Sequence, residues 1–436
     1  MNIVLLSGGS GKRLWPLSND IRSKQFIKMF DNENGSSESM LQRVYRQIKE
    51  ADGKANVVIT TGKKQVGIIK NQIGDNVSVC VEPSRRDTFP AILLATAYLK
   101  YECGICEEES VAVCPIDPYV NQDYFETVKE LYEESKKGVY NLYLMGVVPT
   151  YPSEKYGYLI PKTKERISTV REFKEKPNLV GAKDYIKDGG LWNCGVFVFK
   201  LRYMLDIGKK FLKFVDFNDL YENYEILPKK SFDYIVSEKE NSICCIRFSG
   251  QWKDIGSWNT FSESMSKKVI GDVRIDDATK NTNVVNELDI PILCMGCRNM
   301  IVVASNDGIL VSDKAESSYI KPYVEEINGE IRYAEKSWGS YKVVDVNENS
   351  LIIKVTLMPG HKMFYHSHNR RDEIWNVVSG SGKVIVDGQT KDVAMGDVIT
   401  INCGVKHTVI AENKLIMIEI QLGEDISADD KTKYKI

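Results

Sequence analysis

The chain opens on an apolar run, Ile3-Val-Leu-Leu6, that stops at Ser7-Gly8-Gly9-Ser10-Gly11. Four apolar residues bounded by a turn signal read as a buried strand. Three glycines in four positions make a loop free of Cβ atoms and open to φ > 0. Such a loop can turn several N–H groups toward one anion. Lys12, Arg13 and, further on, Lys24 add positive charge to the same stretch. This is equipment for holding a polyphosphate. Two familiar motifs do not fit it. A Walker A loop needs Ser or Thr after Gly11-Lys12, where Arg13 stands, and a dinucleotide fingerprint needs glycine at Leu14.

The stretch that follows builds a layer around that strand. Apolar runs at 57–60, 77–81, 111–114 and 142–146 read as strands, and helical spacing over 40–48, 65–73, 88–99 and 124–135 reads as helices. Their alternation predicts an α/β domain with a mostly parallel, Rossmann-like sheet. Ligands of such folds bind at the carboxyl ends of strands, where the glycine loop lies. From about 263 to 330 short strands take over, with Asn306-Asp-Gly308 as a hairpin turn.

Histidine usage narrows the chemistry. The four histidines, His361, His366, His368 and His407, all fall in the last fifth of the chain. Everything before them works without imidazole, which suits phosphoryl transfer by carboxylate-bound metal and lysines. A net charge of −2 argues against a nucleic-acid partner. No apolar run reaches membrane-spanning length and no signal-peptide pattern opens the chain, so a cytoplasmic protein without membrane attachment is expected. The ten cysteines, including the C-x-x-C pairs Cys103/Cys106 and Cys294/Cys297, are expected as reduced thiols.

The longer string Gly8-Gly-Ser-Gly-Lys-Arg-Leu-Trp-Pro-Leu-Ser18, followed by Ser23-Lys-Gln-Phe26, resembles the signature of the sugar-nucleotide pyrophosphorylases. It is most similar to their mannose-1-phosphate guanylyltransferase branch. The resemblance implies a nucleotide site at Ser7, Gly8, Gly9, Gly11, Lys12, Arg13 and Lys24. Glu82-Pro-Ser-Arg-Arg-Asp-Thr-Phe-Pro-Ala-Ile92 resembles the branch's segment beside base and triphosphate, which adds Glu82, Arg85 and Arg86. Asp87 stands there for the usual Asn and Phe89 for the usual Ala, which leaves the base open. Cys114-Pro-Ile-Asp-Pro-Tyr119 and Gln251-Trp-Lys-Asp-Ile-Gly-Ser-Trp258 match the two motifs whose aspartates hold Mg²⁺, here Asp117 and Asp254. Pro118 replaces a usual His. Further matches imply a sugar-phosphate site at Gly157, Glu175, Lys176, Asn193 and Gly195.

Near the end, Lys336-Ser-Trp-Gly-Ser-Tyr341 resembles the entry to a C-terminal cupin. Gly360-x₅-His366-x-His368-x₄-Glu373-x₆-Gly380 and Gly396-x₅-Asn402-x-Gly404-x₂-His407 match the two cupin motifs in spacing. They imply a small β-barrel. His366, His368, Glu373 and His407 make a ligand set for a divalent transition metal, with Zn, Mn, Fe, Co and Ni all open. Related isomerase domains carry a second His where Arg370 stands, so weak or absent mannose-6-phosphate isomerase activity is expected.

The expected organisation is a nucleotidyltransferase domain at 1–262, a β-rich connection at 263–333 and a cupin at 334–436. The expected catalytic residues are Arg13, Lys24, Asp117 and Asp254. The expected reaction joins GTP to mannose 1-phosphate, giving GDP-mannose and pyrophosphate. A transferase for another base or another phosphorylated substrate, and a non-catalytic sugar-nucleotide sensor, stay open. So does a homodimer.

Overall fold

The strand Asn2–Leu6 lies inside a nine-stranded sheet. The computed structural model describes residues 1–9, 11–32, 34–327, 331–427 and 429–434. Ser10 of the glycine loop lies outside the described residues. Asn2–Leu6 pairs in parallel with Asn56–Gly62 on one side and Ser110–Pro115 on the other, so that Leu6 faces both Thr60 and Pro115. Ser78–Glu82 continues the parallel set, with Gly62 opposite Glu82. Four carboxyl ends are thereby brought level, and Ser7, Thr60, Glu82 and Pro115 come out along one edge. Beyond Ser110–Pro115 the sheet turns mixed, because Leu191–Lys200 runs antiparallel to it.

Helices cover this sheet for reasons visible in their sequences. Met40–Ala51 buries Met40, Leu41, Val44, Ile48 and Ala51, one stripe at helical spacing. Ser39 and Gln42 close its start with a capping box, an arrangement worth about 1 kcal/mol. Thr88–Ala97 is apolar all round and buried all round, a core helix beneath other helices. Among the described residues no helix is long and apolar enough to cross a membrane.

The chain forms two compact units. One holds Met1–Gly9, Gln25–Val66 and Asn76–Ser266; the other holds Ser10–Lys24, Gly67–Asp75 and Lys267–Ile436. In the second unit, Val269–Ile270, Asn283–Asn286, Met300–Ser305 and Gly308–Asp313 form one small sheet, and Asn306-Asp307 is the two-residue turn of its hairpin. Arg22 ties the 10–24 segment to this region. Its guanidinium takes both carboxylate oxygens of Glu287 at 2.8 and 2.9 Å and lies over the Tyr333 ring.

The last hundred residues make two facing sheets, six and five strands, around a core that includes Trp375, Val377, Val409 and Met417. This is the barrel expected of a cupin. Its entry motif has a steric reason. Gly339 sits at φ +146 where the strand Gly339–Asn347 presses on Ser350–Leu357, and a Cβ there would fall on the carbonyl oxygen of Thr356. Gly339→Ala should therefore destabilise the second unit by about 3 kcal/mol. Chemical denaturation followed by tryptophan fluorescence measures this; an unmoved midpoint would mean the hairpin relaxes around a methyl group.

Candidate active site

The level strand ends build a cavity of about 300 Å³ in the first unit. Gly8, Gly9, Glu82, Arg85, Arg86 and Asp117, all expected site residues, line it together with Gln25 and Thr60. Ser7 is tied to the strands and loop beside it. It is buried, its N–H donates to Thr60 O at 2.8 Å, and its hydroxyl accepts from Gln25 Nε2 at 3.2 Å. Gly11, Lys12 and Arg13 form a short helical turn, Gly11–Leu14, and Lys24 begins the turn Lys24–Phe26. The first of these turns and Lys24 belong to the segment grouped with the second unit.

The 82–92 stretch gives its residues distinct duties. Tyr224 donates its hydroxyl to Glu82 Oε2 at 2.9 Å, and burial raises the Glu82 carboxyl above its ordinary range. Arg86 reaches Leu227 O at 2.7 Å and Glu225 Oε2 at 2.5 Å, so part of its charge clamps the neighbouring chain. Asp87 sits at φ 73 and caps Thr88–Ala97 by accepting from Thr88 N at 2.7 Å. With ψ −177 this is a backbone region held almost wholly by glycine, and Asp and Asn both cap helices well. Phe89 is fully buried and packs on Phe211, with ring centroids 5.3 Å apart. Asp87 and Thr88 also line the first cavity, whereas Phe89 belongs to the core.

A second cavity, about 210 Å³, adjoins the first and shares Pro115 and Asp117 with it. Gly157, Glu175, Asn193, Gly195 and Asp254 line it, with Lys155, Tyr156, Asp233 and Trp252, which sequence reasoning missed. Asp254 ends the strand Trp252–Asp254, which pairs with Pro118–Val120 so that Asp254 faces Pro118. The two aspartates thus come from adjacent strand ends. Burial first, then Asp254 and more weakly Asp117, drive the Tyr156 hydroxyl well above the usual phenol range. Pro118 lines this cavity, so its exchange for His alters the wall itself.

Glu175 is buried and carries the Lys176 ammonium at 2.7 Å. Gly157 is glycine because a Cβ there would come within 2.5 Å of Glu175 Oε2. Asn193 donates to Asp233 Oδ1 at 2.8 Å and accepts from Gly195 N at 3.2 Å. Partly exposed on the wall of one cavity, Asp117 and Asp254 suit magnesium, which takes one or two carboxylates and keeps waters and phosphate oxygens.

In the barrel, His366 and His407 are direct cross-strand partners, with His368 two residues on. One ligand atom from each lies within 4.8 Å of the others. Their Nδ1 atoms face carbonyls: His366 that of Phe364 at 2.6 Å, His407 that of Val405 at 2.9 Å, and His368 that of Asp430. Such bonds put the proton on Nδ1 and leave Nε2 with its lone pair, the tautomer a metal takes. Burial, then the Lys431 ammonium, pulls His366 down to about 2, and burial pulls His368 to about 4, so both rings are neutral. Glu373 lies 3.1 Å from His368 Nε2 and 3.4 Å from His407 Nε2. Burial pulls its carboxyl up, but the Arg371 guanidinium beside it helps to hold it below the ordinary carboxylate range. Arg371 is inside, 3.0 Å from Glu373 and 3.1 Å from His368 Nε2. Arg370 is exposed and paired with Asp425. The cage fits a divalent transition metal without any help from position 370.

Residues 2–269 match the nucleotidyl transferase family, and residues 325–435 match the mannose-6-phosphate isomerase C-terminal family. The chain belongs to the nucleotidyl transferase family. Its relatives run its whole length. The mannose-1-phosphate guanylyltransferase RfbM of Salmonella typhimurium is 29% identical, over 98% of this chain and 95% of that protein. The alginate biosynthesis protein AlgA of Pseudomonas aeruginosa is 27% identical, over 98% and 95%. A crystal structure of a mannose-1-phosphate geranyltransferase from Thermus thermophilus superposes with a TM-score of 0.61 at 26% identity, covering 74% of this chain and 98% of that one. This member of the family is therefore a nucleotidyltransferase of the mannose-1-phosphate guanylyltransferase type, joined to a cupin.

Proposed function

We propose that the protein joins GTP to mannose 1-phosphate, giving GDP-mannose and pyrophosphate. The observation that carries this reading is the pair of cavities with Asp117 on the wall of both. One cavity has loop N–H groups and arginines for a triphosphate; the other has Glu175 and Asn193 for hydroxyl groups. The whole-length likeness to mannose-1-phosphate guanylyltransferases supports the choice of base and sugar. A phosphate oxygen of the sugar phosphate attacks the α-phosphorus in line, and the bond to the β-phosphate oxygen breaks. Asp117 and Asp254 would hold Mg²⁺, which supplies charge neutralisation at the phosphate oxygens. Gly8 and Gly9 offer N–H donors, while Arg13 and Lys24 counter the charge that gathers on the leaving pyrophosphate. Lys176 serves the sugar phosphate from the turn that holds Glu175. In the barrel, His366, His368, Glu373 and His407 hold a divalent transition metal.

Pyrophosphate release from a panel of triphosphates and sugar 1-phosphates tests the reading. GTP with mannose 1-phosphate is expected to be fastest. Turnover with another pair and none with this one would move the protein to the alternative of a different base or phosphorylated substrate, and none with any pair would leave the sensor. Lys24 has its own test. Lys24→Ala should raise KM for the triphosphate and lower kcat, each by roughly tenfold or more, as removal of a charge-assisted phosphate contact does. A change in sugar-phosphate KM alone would place Lys24 elsewhere.

A further inference from the structure

We propose that Asp233 reads a hydroxyl group of the sugar phosphate, as the third member of a set with Glu175 and Asn193. The proposal rests on the function proposed above. No motif points to this residue, which stands in the plain string Ser231-Phe-Asp-Tyr-Ile235. Its placement is what singles it out. It lines the second cavity together with Glu175, Asn193 and the two aspartates.

Asn193 is pinned at both ends of its amide, to Asp233 Oδ1 and to Gly195 N. That leaves Asn193 one N–H and one lone pair to offer, and among the described residues it is the one side chain that donates to Asp233. The Lys176 ammonium makes its ion pair with Glu175. Burial, then the Glu175 carboxylate, pushes the Asp233 carboxyl up to about 7, against the pull of the Lys176 ammonium and the Asn193 hydrogen bond. Its backbone is firmly held. Phe232 is fully buried against Phe197 and Phe199, and its N–H donates to Thr88 Oγ1 at 2.8 Å. A carboxyl so placed at a cavity wall, with one oxygen taken by Asn193, has hydrogen-bonding capacity left for a ligand. A hexose supplies the complement, because each hydroxyl donates and accepts.

Two roles must be told apart. Asp233 could contact the sugar, or it could only orient Asn193. Asp233→Asn separates them, because an Asn oxygen still accepts from Asn193 while the carboxylate is gone. Steady-state kinetics of the full-length protein would be measured for the wild type, Asp233→Asn and Asp233→Ala. The substrates are GTP with mannose 1-phosphate and its 2-, 3-, 4- and 6-deoxy analogues. Asp233→Asn should raise KM for mannose 1-phosphate by about 10- to 100-fold, the loss expected for one hydrogen bond to a charged group. KM for GTP should stay within about twofold. With one deoxy analogue the wild type should lose about tenfold or more in kcat/KM, while Asp233→Asn should lose no more than about twofold further, since the contact is already gone.

A wild-type-like Asp233→Asn would overturn the proposal and leave Asp233 as a support for Asn193. So would losses that multiply for all four analogues, or an equal rise in KM for GTP. Asp233→Ala need not fold for the test to be read, because the near-isosteric Asn variant carries it. A wild type that makes no nucleotide sugar from any of these phosphates would instead overturn the parent function.

Discussion

Asp117→Asn and Asp254→Asn should each lower kcat by about a hundredfold or more, with the fold intact. The expectation follows from where the two carboxylates stand. Asp117 follows the buried strand Ser110–Pro115, and Asp254 ends a strand that pairs with the residues just after Asp117. That pairing is made by backbone groups, so Asn in either place keeps it. What is lost is one negative charge at the point where the two cavities meet. Phosphoryl transfer depends on fixed charge at that point, and the transition state needs it more than the bound substrates do. The loss should therefore appear mainly in kcat, and the Mg²⁺ concentration needed for half-maximal rate should rise by about tenfold or more. Pyrophosphate release at varied Mg²⁺ measures both. Near-normal kcat in either variant would remove that residue from the metal-holding pair.

The double variant His368→Ala with His407→Ala should abolish bound transition metal in the purified protein. The three imidazoles set their Nδ1 atoms against carbonyls, and one ligand atom from each lies within 4.8 Å of the others. Removing two of three leaves His366 and Glu373, too few donors for tight retention. Elemental analysis of the wild type and the variant decides it, and an empty wild-type site after growth and dialysis with added metal would sink the ligand claim. A coupled assay from fructose 6-phosphate should show little mannose 6-phosphate. At position 370 the expected imidazole is an arginine paired with Asp425 at the surface. Robust turnover would show that the cage and Arg371 suffice.

The sequence was readable where one residue type in one place has one strong use. Glycines after a buried strand, an aspartate just past a strand end and histidines two apart on a strand belong to that group. Residues whose meaning comes from distant partners were not readable. Asp233 acquires its setting from Asn193, forty residues away, and Gln25 is bonded to Ser7 by folding rather than by pattern. Nothing in the periodicity of 10–24 or 67–75 foretells their grouping with the second unit, which rests on contacts such as Arg22 to Glu287 and Gln72 to Glu335. Asp87 and Phe89 both interrupt a binding string, and only folding tells them apart: Asp87 lines the first cavity and Phe89 lies in the core. The barrel was legible in outline, because cupin spacing fixes which residues meet. Arg371 inside and Arg370 outside was not, because both stand in the bend between the strands His366–Ser367 and Asp372–Ser379, where no period fixes a face.

The two cavities of the first unit have separate linings except at Pro115 and Asp117. Most residues of one lining are absent from the other. An ancestral enzyme of this plan could therefore exchange its sugar while keeping its base, or the reverse, without passing through an inactive intermediate. The same independence is open to the engineer. Libraries confined to Lys155, Tyr156, Asn193 and Asp233 would explore new sugars, and libraries at Gln25, Thr60 and Arg85 would explore new triphosphates. Winners from each could then be combined with near-additive effect, provided that Pro115 and Asp117 are left alone.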